Sequence, residues 1–281
     1  MTEPSGSRVT VVVATRNRWD DLRRSLPLHP RPVVLVDNAS SDGTPERVAR
    51  TFPDVAVIRL PQNAGAVARN AGVRASTTPY VAFADDDSWW EPGSLDRAAD
   101  LLDSGPGIGL LAARVLVGQH GDVDPVCTEM ATSALGTRPG EPGPRVLGFI
   151  ACGAVVRRSA YLAAGGFDPV TFFAGEEERL ALDLAAQGWA LCYVPDVVAR
   201  HLPSTSRDVG ARHVRIARNE VLTAVMRRPS REVARTVRRH AATAQGRRGL
   251  AAAVPRLLGA LRARTALPPE VEAARQRLDE R

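Results

Sequence analysis

The sequence predicts an α/β fold: a mixed, mainly parallel sheet flanked by helices. Three observations predict it. Short apolar runs rich in β-branched residues begin at positions 8, 32, 55 and 80, each too short for a helix. The segments between them carry helical start and stop signals, so strands and helices alternate as in βαβ units. Acidic residues, Asp37 and the triplet Asp85-Asp86-Asp87, directly follow two of the runs, at the strand ends beyond which parallel sheets bind ligands.

Residues 8–14 are the first strand, nearly all β-branched, with 15–18 as its exit loop and 19–26 as a short helix. Residues 32–36 are the second strand. The stretch 37–44 is dense in turn formers and leads into a helix over 45–51, with Thr44 as N-cap and Pro45 at the first helical position. A third strand spans 55–60, a helix 64–75, and the fourth strand 80–84 follows Pro79. Residues 94–104 read as a helix and 107–117 as a strand. The Gly- and Pro-rich stretch 118–146 reads as a loop near the acceptor, and 147–156 as a strand. A short helix at 159–164 is closed by Gly165-Gly166. A helix over 176–187 ends at Gly188, and the last strand, 190–194, precedes Pro195. Beyond His201 the pattern turns helical and basic. Val233, Val237 and Ala241 form one stripe over 230–245, and Leu257, Leu258 and Leu261 continue an amphipathic pattern after Pro255. The expected organisation is a disordered N-terminus (1–7), a globular α/β domain (8–202) and an Arg-rich helical extension (203–281).

Composition narrows the class. The chain has 281 residues, 44% of them apolar, ordinary for a globular core. No apolar run approaches the roughly 18 residues of a membrane span, and the polar start lacks a secretory signal. Cys127, Cys152 and Cys192 are odd in number and widely spaced. They suit neither a disulfide framework nor a zinc site, and a reduced, cytoplasmic setting follows. The net charge is +6 and every basic side chain other than histidine is Arg. Arg dominates after about position 200. Such a tail suits an anionic membrane face, an acidic partner or a plain solvated helix surface. Aromatic residues make up only 5% and form no stacking array with Arg, so nucleic acid is not expected as a partner.

Two acidic clusters carry the chemistry. Carboxylates crowded at a strand end repel one another unless a cation sits between them, and hard divalent ions take oxygen ligands together with phosphate oxygens. Asp85–Asp87 thus points to a metal-assisted site for a phosphorylated substrate; the plainer alternative is a loop with Asp87 or Ser88 capping the next helix. Glu176-Glu177-Glu178 stands at a helix start, where the dipole alone favours acids. The functional alternative is a general base that removes a proton from a hydroxyl nucleophile. Adjacent helical residues point about 100° apart, so not all three serve one site. Glu177 is the favoured base, with Glu176 as its support.

The ordered set of motifs resembles the family 2 glycosyltransferases, the inverting, nucleotide-sugar-dependent class with a GT-A fold. The matching pieces are Val11-Val12-Val13-Ala14-Thr15-Arg16-Asn17-Arg18, Val36-Asp37-Asn38-Ala39-Ser40-Ser41-Asp42-Gly43-Thr44, Asn63-Ala64-Gly65, Ala68-Arg69-Asn70-Ala71-Gly72, Phe83-Ala84-Asp85-Asp86-Asp87, Gly165-Gly166-Phe167-Asp168 and Gly175-Glu176-Glu177-Glu178-Arg179-Leu180. They span roughly residues 8–202.

The resemblance implies that Thr15, Arg16, Asp37, Asn63, Arg69, Asp85 and Asp86 bind the nucleotide sugar. It implies that Asp87, Asp85 and His201 hold Mn2+ or Mg2+, and that Glu177 with Glu176 activates the acceptor hydroxyl for a single inverting displacement. One departure stands out. Many relatives place Asp where this chain has Arg179, which leaves the choice of base between the two glutamates open and makes Arg179 a candidate determinant of the acceptor. The implied reaction is hexosyl or deoxyhexosyl transfer from a nucleoside-diphosphate sugar to a glycan, lipid-linked or small-molecule acceptor, in polysaccharide or glycoconjugate assembly. A nucleotidyltransferase would carry a Gly-rich phosphate loop after the first strand, which Thr15–Arg18 is not. A nicotinamide enzyme would carry Gly-x-Gly-x-x-Gly there. A catalytically inactive scaffold with the same fold remains the rival of a different kind. For the Arg-rich tail the options are peripheral contact with the inner face of the membrane, packing on the core, or a homodimer contact.

Overall fold

The computed structural model describes residues 7–203 and 209–280. Apart from Ser7, the expected disordered N-terminus lies outside the described residues. The strands are β1 (Val9–Thr15), β2 (Val33–Asp37), β3 (Val55–Arg59), β4 (Tyr80–Asp85), β5 (Ser88–Trp90), β6 (Ile108–Val117), β7 (Asp122–Val123), β8 (Ala154–Arg157) and β9 (Ala190–His201). The helices are α1 (Trp19–Ser25), α2 (Thr44–Thr51), α3 (Ala68–Ala75), α4 (Ser94–Ser104), α5 (Pro125–Ala131), α6 (Arg158–Ala163), α7 (Glu177–Ala186), α8 (Val209–Arg227), α9 (Ser230–Ala241), α10 (Ala244–Ala253), α11 (Leu257–Arg262) and α12 (Pro269–Asp279).

All nine strands join one sheet in the order β3-β2-β1-β4-β8-β6-β9-β5, with β7 on β6. The β3-β2-β1-β4 block is parallel, as is the β6/β9 pair; β8 is antiparallel to both its neighbours and β5 to β9. Register aligns the strand ends that matter: Thr15 lies beside Asp37, and Ala14 beside Asp85.

The period-2 alternation of strand side chains divides the core into two layers. Val11, Val13, Leu35 and Ala82 face one layer, where Leu22 of α1 and Leu95, Ala98 and Leu102 of α4 pack. Val12, Val36, Val81 and Phe83 face the other, under Val73 of α3, Tyr161 of α6 and Leu180 and Leu184 of α7. Each such aliphatic side chain contributes about 1.5–3 kcal/mol by burial.

Four expectations change. Residues 118–146 are not structureless: Asp124 caps α5 by accepting from Val126 N at 2.9 Å, Pro125 fills the first turn, and Cys127 and Met130 are buried. The strand expected over 147–156 shrinks to β8, because Ala151–Gly153 forms a 3-10 turn. The last strand does not stop at Pro195. It runs to His201, and a register irregularity opposite Ala113 and Arg114 absorbs a proline that cannot donate to the ladder. Asp87 and Ser88 cap no helix: Ser88 opens β5, and the next helix starts at Ser94.

Past the sheet, α8 packs against α7, α9, α10 and α11. Val221, Leu222, Val225 and Met226 meet Ala253 and Ala260, while Leu267 and Val271 cover Leu147 and Leu182. Of the stripe expected on α9, Val233 packs against the Val221–Met226 cluster, but the rest does not. Val237 and Ala241 are exposed, and Glu232 and Thr236 face inward. The buried Arg228 explains this orientation, since its guanidinium is ringed by Glu232 at 3.7 Å, Glu272 at 3.0 Å and Asp279 at 2.7 Å.

Candidate active site

A cleft of about 510 Å3 opens at the carboxyl ends of the parallel strands. Asp85, Asp86 and Asp87 form one wall and Glu176 and Glu177 another, so the two acidic clusters, far apart in sequence, share one cavity. Each wall has its own support.

The acidic turn is fixed by hydroxyl groups and by the end of the sheet. Thr15 Oγ1 donates to Asp86 Oδ2 at 3.1 Å, Ser25 Oγ donates to the Asp86 carbonyl at 2.7 Å, and Asp85 N donates to Ser88 Oγ at 2.8 Å. Ser88 pairs with His201 across β5 and β9, and Leu202 N donates to the Asp87 carbonyl at 2.8 Å. That pairing brings His201 Nε2 to 3.2 Å from Asp87 Oδ1. Burial, reinforced by Asp87 and Asp85, pushes the Asp86 carboxyl up to about 8. Crowded carboxylates with so little solvent favour a proton or a cation.

The glutamate wall hangs on a strained loop. Phe172, Ala174 and Gly175 all have positive φ, of 65°, 66° and 84°, a cost of order 1–3 kcal/mol for each non-glycine residue. Asn219 on α8 holds the loop, donating from Nδ2 to the carbonyls of Phe173 at 3.1 Å and Ala174 at 2.8 Å, and Arg218 donates to the Thr171 carbonyl at 2.8 Å. On the other side Ala66 N donates to the Phe172 carbonyl at 2.7 Å. That approach requires glycine at 65, where φ is +60° and a Cβ would lie 2.4 Å from the same oxygen. Glu176 is buried and Glu177 half-buried. Burial raises the affinity of both carboxylates for a proton, and the nearby Arg69 opposes this.

Arg69 stands between the walls. Its guanidinium is buried, 2.5 Å from Asp85 and 3.9 Å from Glu176. Burial alone would disfavour its charge, but Asp85, Glu176 and Glu177 hold it more firmly protonated than usual. Glu176 Oε2 has no hydrogen-bond partner among the described residues.

Most residues singled out in the sequence meet in this cleft: Thr15, Arg16, Asn63, Arg69, the three aspartates, both glutamates and His201. Asp37 does not line it. It is 1% exposed and accepts from Ser40 N at 3.1 Å, a turn-forming role, while its neighbour Asn38 reaches the cleft and braces Ala64 and Gly65. Arg179 also misses the cleft, against the expectation that it shapes the acceptor site. It is buried beside Asp168 at 3.3 Å and pairs with Asp183, which in turn binds Arg227 at 2.5 Å. The network ties α7 to α8.

Sequence reasoning missed four cleft residues. Arg18, Arg212 and Arg215 give it a cationic rim, and Cys152 lies near Asp85 and His201. Arg18 was readable from its place in the first exit loop; the others come from segments whose fold had to be known first. The donors of Asp85, Cys152 and His201 lie within 4.8 Å of one another. Asp87 stands outside this trio and faces His201. A separation of 3.2 Å between its oxygen and the imidazole nitrogen also suits two adjacent ligands of one octahedral ion, about 3 Å apart when bonds are near 2.1 Å. Two carboxylates and an imidazole fit a divalent cation.

Comparison with known proteins agrees with this architecture. The profile of the Glycosyl transferase family 2 matches residues 10–163. The chain belongs to this family. It is 30% identical over 215 residues to the N-acetylglucosaminyl-diphospho-decaprenol L-rhamnosyltransferase of Mycobacterium tuberculosis, covering 64% of this chain and 69% of the relative. A pre-mycofactocin glycosyltransferase of the same organism is 32% identical over 206 residues, covering 70% of this chain and 43% of the relative. Among solved structures, the mannosyltransferase PcManGT from Pyrobaculum calidifontis, in complex with GDP-Man and Mn2+, superposes with a TM-score of 0.63 at 24% identity over 97% of this chain and 85% of that one. S. aureus TarS 1-349 with UDP-GlcNAc gives 0.59 at 18% identity, covering 97% and 88%. The fold of this glycosyltransferase is GT-A.

Proposed function

We propose that this glycosyltransferase moves a hexosyl or deoxyhexosyl group from a nucleoside-diphosphate sugar to an acceptor hydroxyl with inversion, assisted by Mn2+ or Mg2+. The observation that carries the reading is the convergence of Asp85–Asp87 and Glu177 on one cleft. Asp85, Asp87 and His201 would hold the cation, which when bound neutralises charge on the leaving diphosphate. Arg16, Arg18, Arg212 and Arg215 supply further positive charge on the rim, and Thr15 and Asn63 offer polar contacts to the nucleotide.

Glu177 is the better candidate for the base. It is half-buried at the cleft wall, whereas Glu176 is buried against Arg69. Its raised proton affinity suits a group that must take a proton from an alcohol near neutral pH. One base and no nucleophilic carboxylate imply a single displacement, hence inversion.

Lipid-linked acceptors are favoured by the decaprenyl-linked substrate in the name of the mycobacterial relative and by an apolar ridge. Val254, Leu258 and Leu261 are 62%, 60% and 58% exposed, and Arg262 on α11 and Arg247 and Arg248 on the preceding α10 are exposed as well. Among the described residues no helix is long and apolar enough to cross a membrane, so the contact would be peripheral. Vesicles of phosphatidylcholine with and without phosphatidylglycerol test it. Co-sedimentation with the anionic vesicles that Leu258→Glu abolishes supports membrane contact; equal behaviour of the two proteins rejects it, and a dimer that Leu258→Glu dissociates would assign the ridge to a second copy.

For the chemistry, the test is a screen of nucleotide sugars for metal-dependent thermal stabilisation and turnover. Asp87→Ala should remove turnover in a folded protein, and Glu177→Gln should keep donor binding while losing transfer. Full turnover in both variants refutes the roles, and stabilisation by no nucleotide sugar favours an inactive scaffold.

A further inference from the structure

We propose that Cys152 is an additional ligand at the cation site, completing with Asp85 and His201 a three-donor set for a thiophilic divalent ion of the Zn2+ and Cd2+ class. The inference rests on the reading that a cation occupies this end of the cleft, and adds a selectivity that two carboxylates and an imidazole do not have.

The position of the thiol carries the argument. Cys152 sits in the 3-10 turn Ala151–Gly153, between β4 and the β6–β9 pair. The turn is pressed onto β6 so closely that a Cβ on Gly153 would lie 2.5 Å from a methyl group of Val115, which fixes the backbone that carries Cys152. It is 2% exposed and yet lines the cleft, so its small accessible surface faces the acidic turn. Cys127, in the apolar layer beneath α6 and α7, shows a thiol with backbone partners. Cys127 accepts from Val115 N at 3.2 Å and donates to the Ala113 carbonyl at 3.7 Å. Cys152 and Cys192 make no such bonds among the described residues, but Cys192 lies in the apolar core whereas Cys152 lines the cleft. Its polar neighbours are instead a carboxylate and an imidazole, with all three donor atoms within 4.8 Å.

Those three types, O, N and S, are a mixed set suited to Zn2+, whose bonds of roughly 2.0–2.3 Å place tetrahedral ligands about 3.3–3.8 Å apart. Shifts of about an ångström in Asp85 and His201, both only partly buried, close that gap. Mg2+ and Mn2+ prefer oxygen and gain little from sulfur. Thiophilic ions gain a bond, the thiol proton passing to solvent as the sulfur–metal bond forms. Three protein ligands leave a position open. A thiophilic ion thus binds the free protein and competes with Mn2+, while the harder ions depend more on the donor diphosphate.

Cd2+ titration of the purified full-length protein, kept reduced with a phosphine, reads the thiolate–metal bond directly as charge-transfer absorption in the ultraviolet. A saturable, stoichiometric band is expected in the wild type and in Cys127→Ser, absent in Cys152→Ser, with at least tenfold weaker affinity in His201→Ala. A wild type without the band overturns the proposal whatever the variants do, and so does a band that survives in a folded Cys152→Ser. Thermal stabilisation by Mn2+ with UDP and GDP is measured alongside. Stabilisation with no Cd2+ band rejects the Cys152 ligand and leaves the transferase reading standing; a band with no nucleotide binding keeps the thiol site and removes that reading.

Discussion

The two halves of this glycosyltransferase are held together differently. In the β2-β1-β4 block, strand after strand buries Val, Leu, Ala and Phe on both faces, with half-exposed β3 at the edge, and the polar groups gather at the carboxyl ends. In the helical region, buried or half-buried guanidinium groups do much of the joining: Arg227 with Asp183, Arg228 with Glu232, Glu272 and Asp279, and Arg218 with the loop before Glu176. The first half tolerates chemically similar substitutions. The second is specific, because a buried charge stripped of its partner is worse than no charge at all. The cleft is built where the two meet, with its aspartate wall on the apolar half and its glutamate wall braced by the ion-paired half.

Substitutions can break that contrast, the largest effect first. Glu177→Gln should lower transfer by about 10²–10⁴-fold with the melting temperature nearly unchanged; a stability loss comparable with a core mutation would make Glu177 structural. Asp183→Ala strips Arg227 of its carboxylate and leaves Arg179 with Asp168 alone, and should destabilise by about 3–5 kcal/mol, read as a shift in urea midpoint. Leu35→Ala in the first half should cost about 2–5 kcal/mol by cavity formation alone. A distinguishing measurement is replacement of Arg228 and Glu272 together by apolar residues. If the ionic half is held by pairing, the double variant should be markedly more stable than Arg228→Ala alone; if the two are equal, the comparison fails.

A smaller effect lies beneath the apolar half. His29 is buried with neither ring nitrogen hydrogen-bonded among the described residues, and burial, aided by Arg31 and opposed by the nearby Ser88 backbone, lowers its pKa to about 4. An unfolded histidine titrates near 6.5. Between those values the unfolded chain holds a proton that the folded one lacks, so stability falls on acidification through this window, by about 2–3 kcal/mol at pH 4.5. His29→Leu should flatten that part of the pH–stability curve relative to wild type. A parallel slope in both proteins would show that His29 is not the group responsible.

The contrast also explains what could be read from the chain. In the first half, strand, turn and helix signals are local, so β1–β4, α2 and α4 emerge within a residue or two, as do the acidic strand ends, while the helix expected over 64–75 starts as a 3-10 turn and is α-helical only from Ala68. β5 is three residues long and exists because β9 pairs with it, a partner more than a hundred positions away that no local window contains. Pro195 looked like a terminator, yet the irregularity opposite β6 carries the strand past it to His201. On α9, hydrophobicity pointed to Val237, while the buried face is set by the needs of Arg228. Asp37 had the right residue type at the right strand end but turned its oxygen to its own loop. Arg179 drew notice by reversing a charge; its partner Asp183, one turn further along the same helix, was present in the sequence and would have explained it.

The short antiparallel seam that places Ser88 beside His201 makes the meeting of Asp87 and His201 a property of the finished sheet. The family profile ends at residue 163, before β9 begins. A fragment cut there would keep Asp85–Asp87 but lose His201, the glutamates and the strand that pins the acidic turn. Isolated from the rest, the most recognisable motif in the chain would be a set of repelling charges on an unfastened edge.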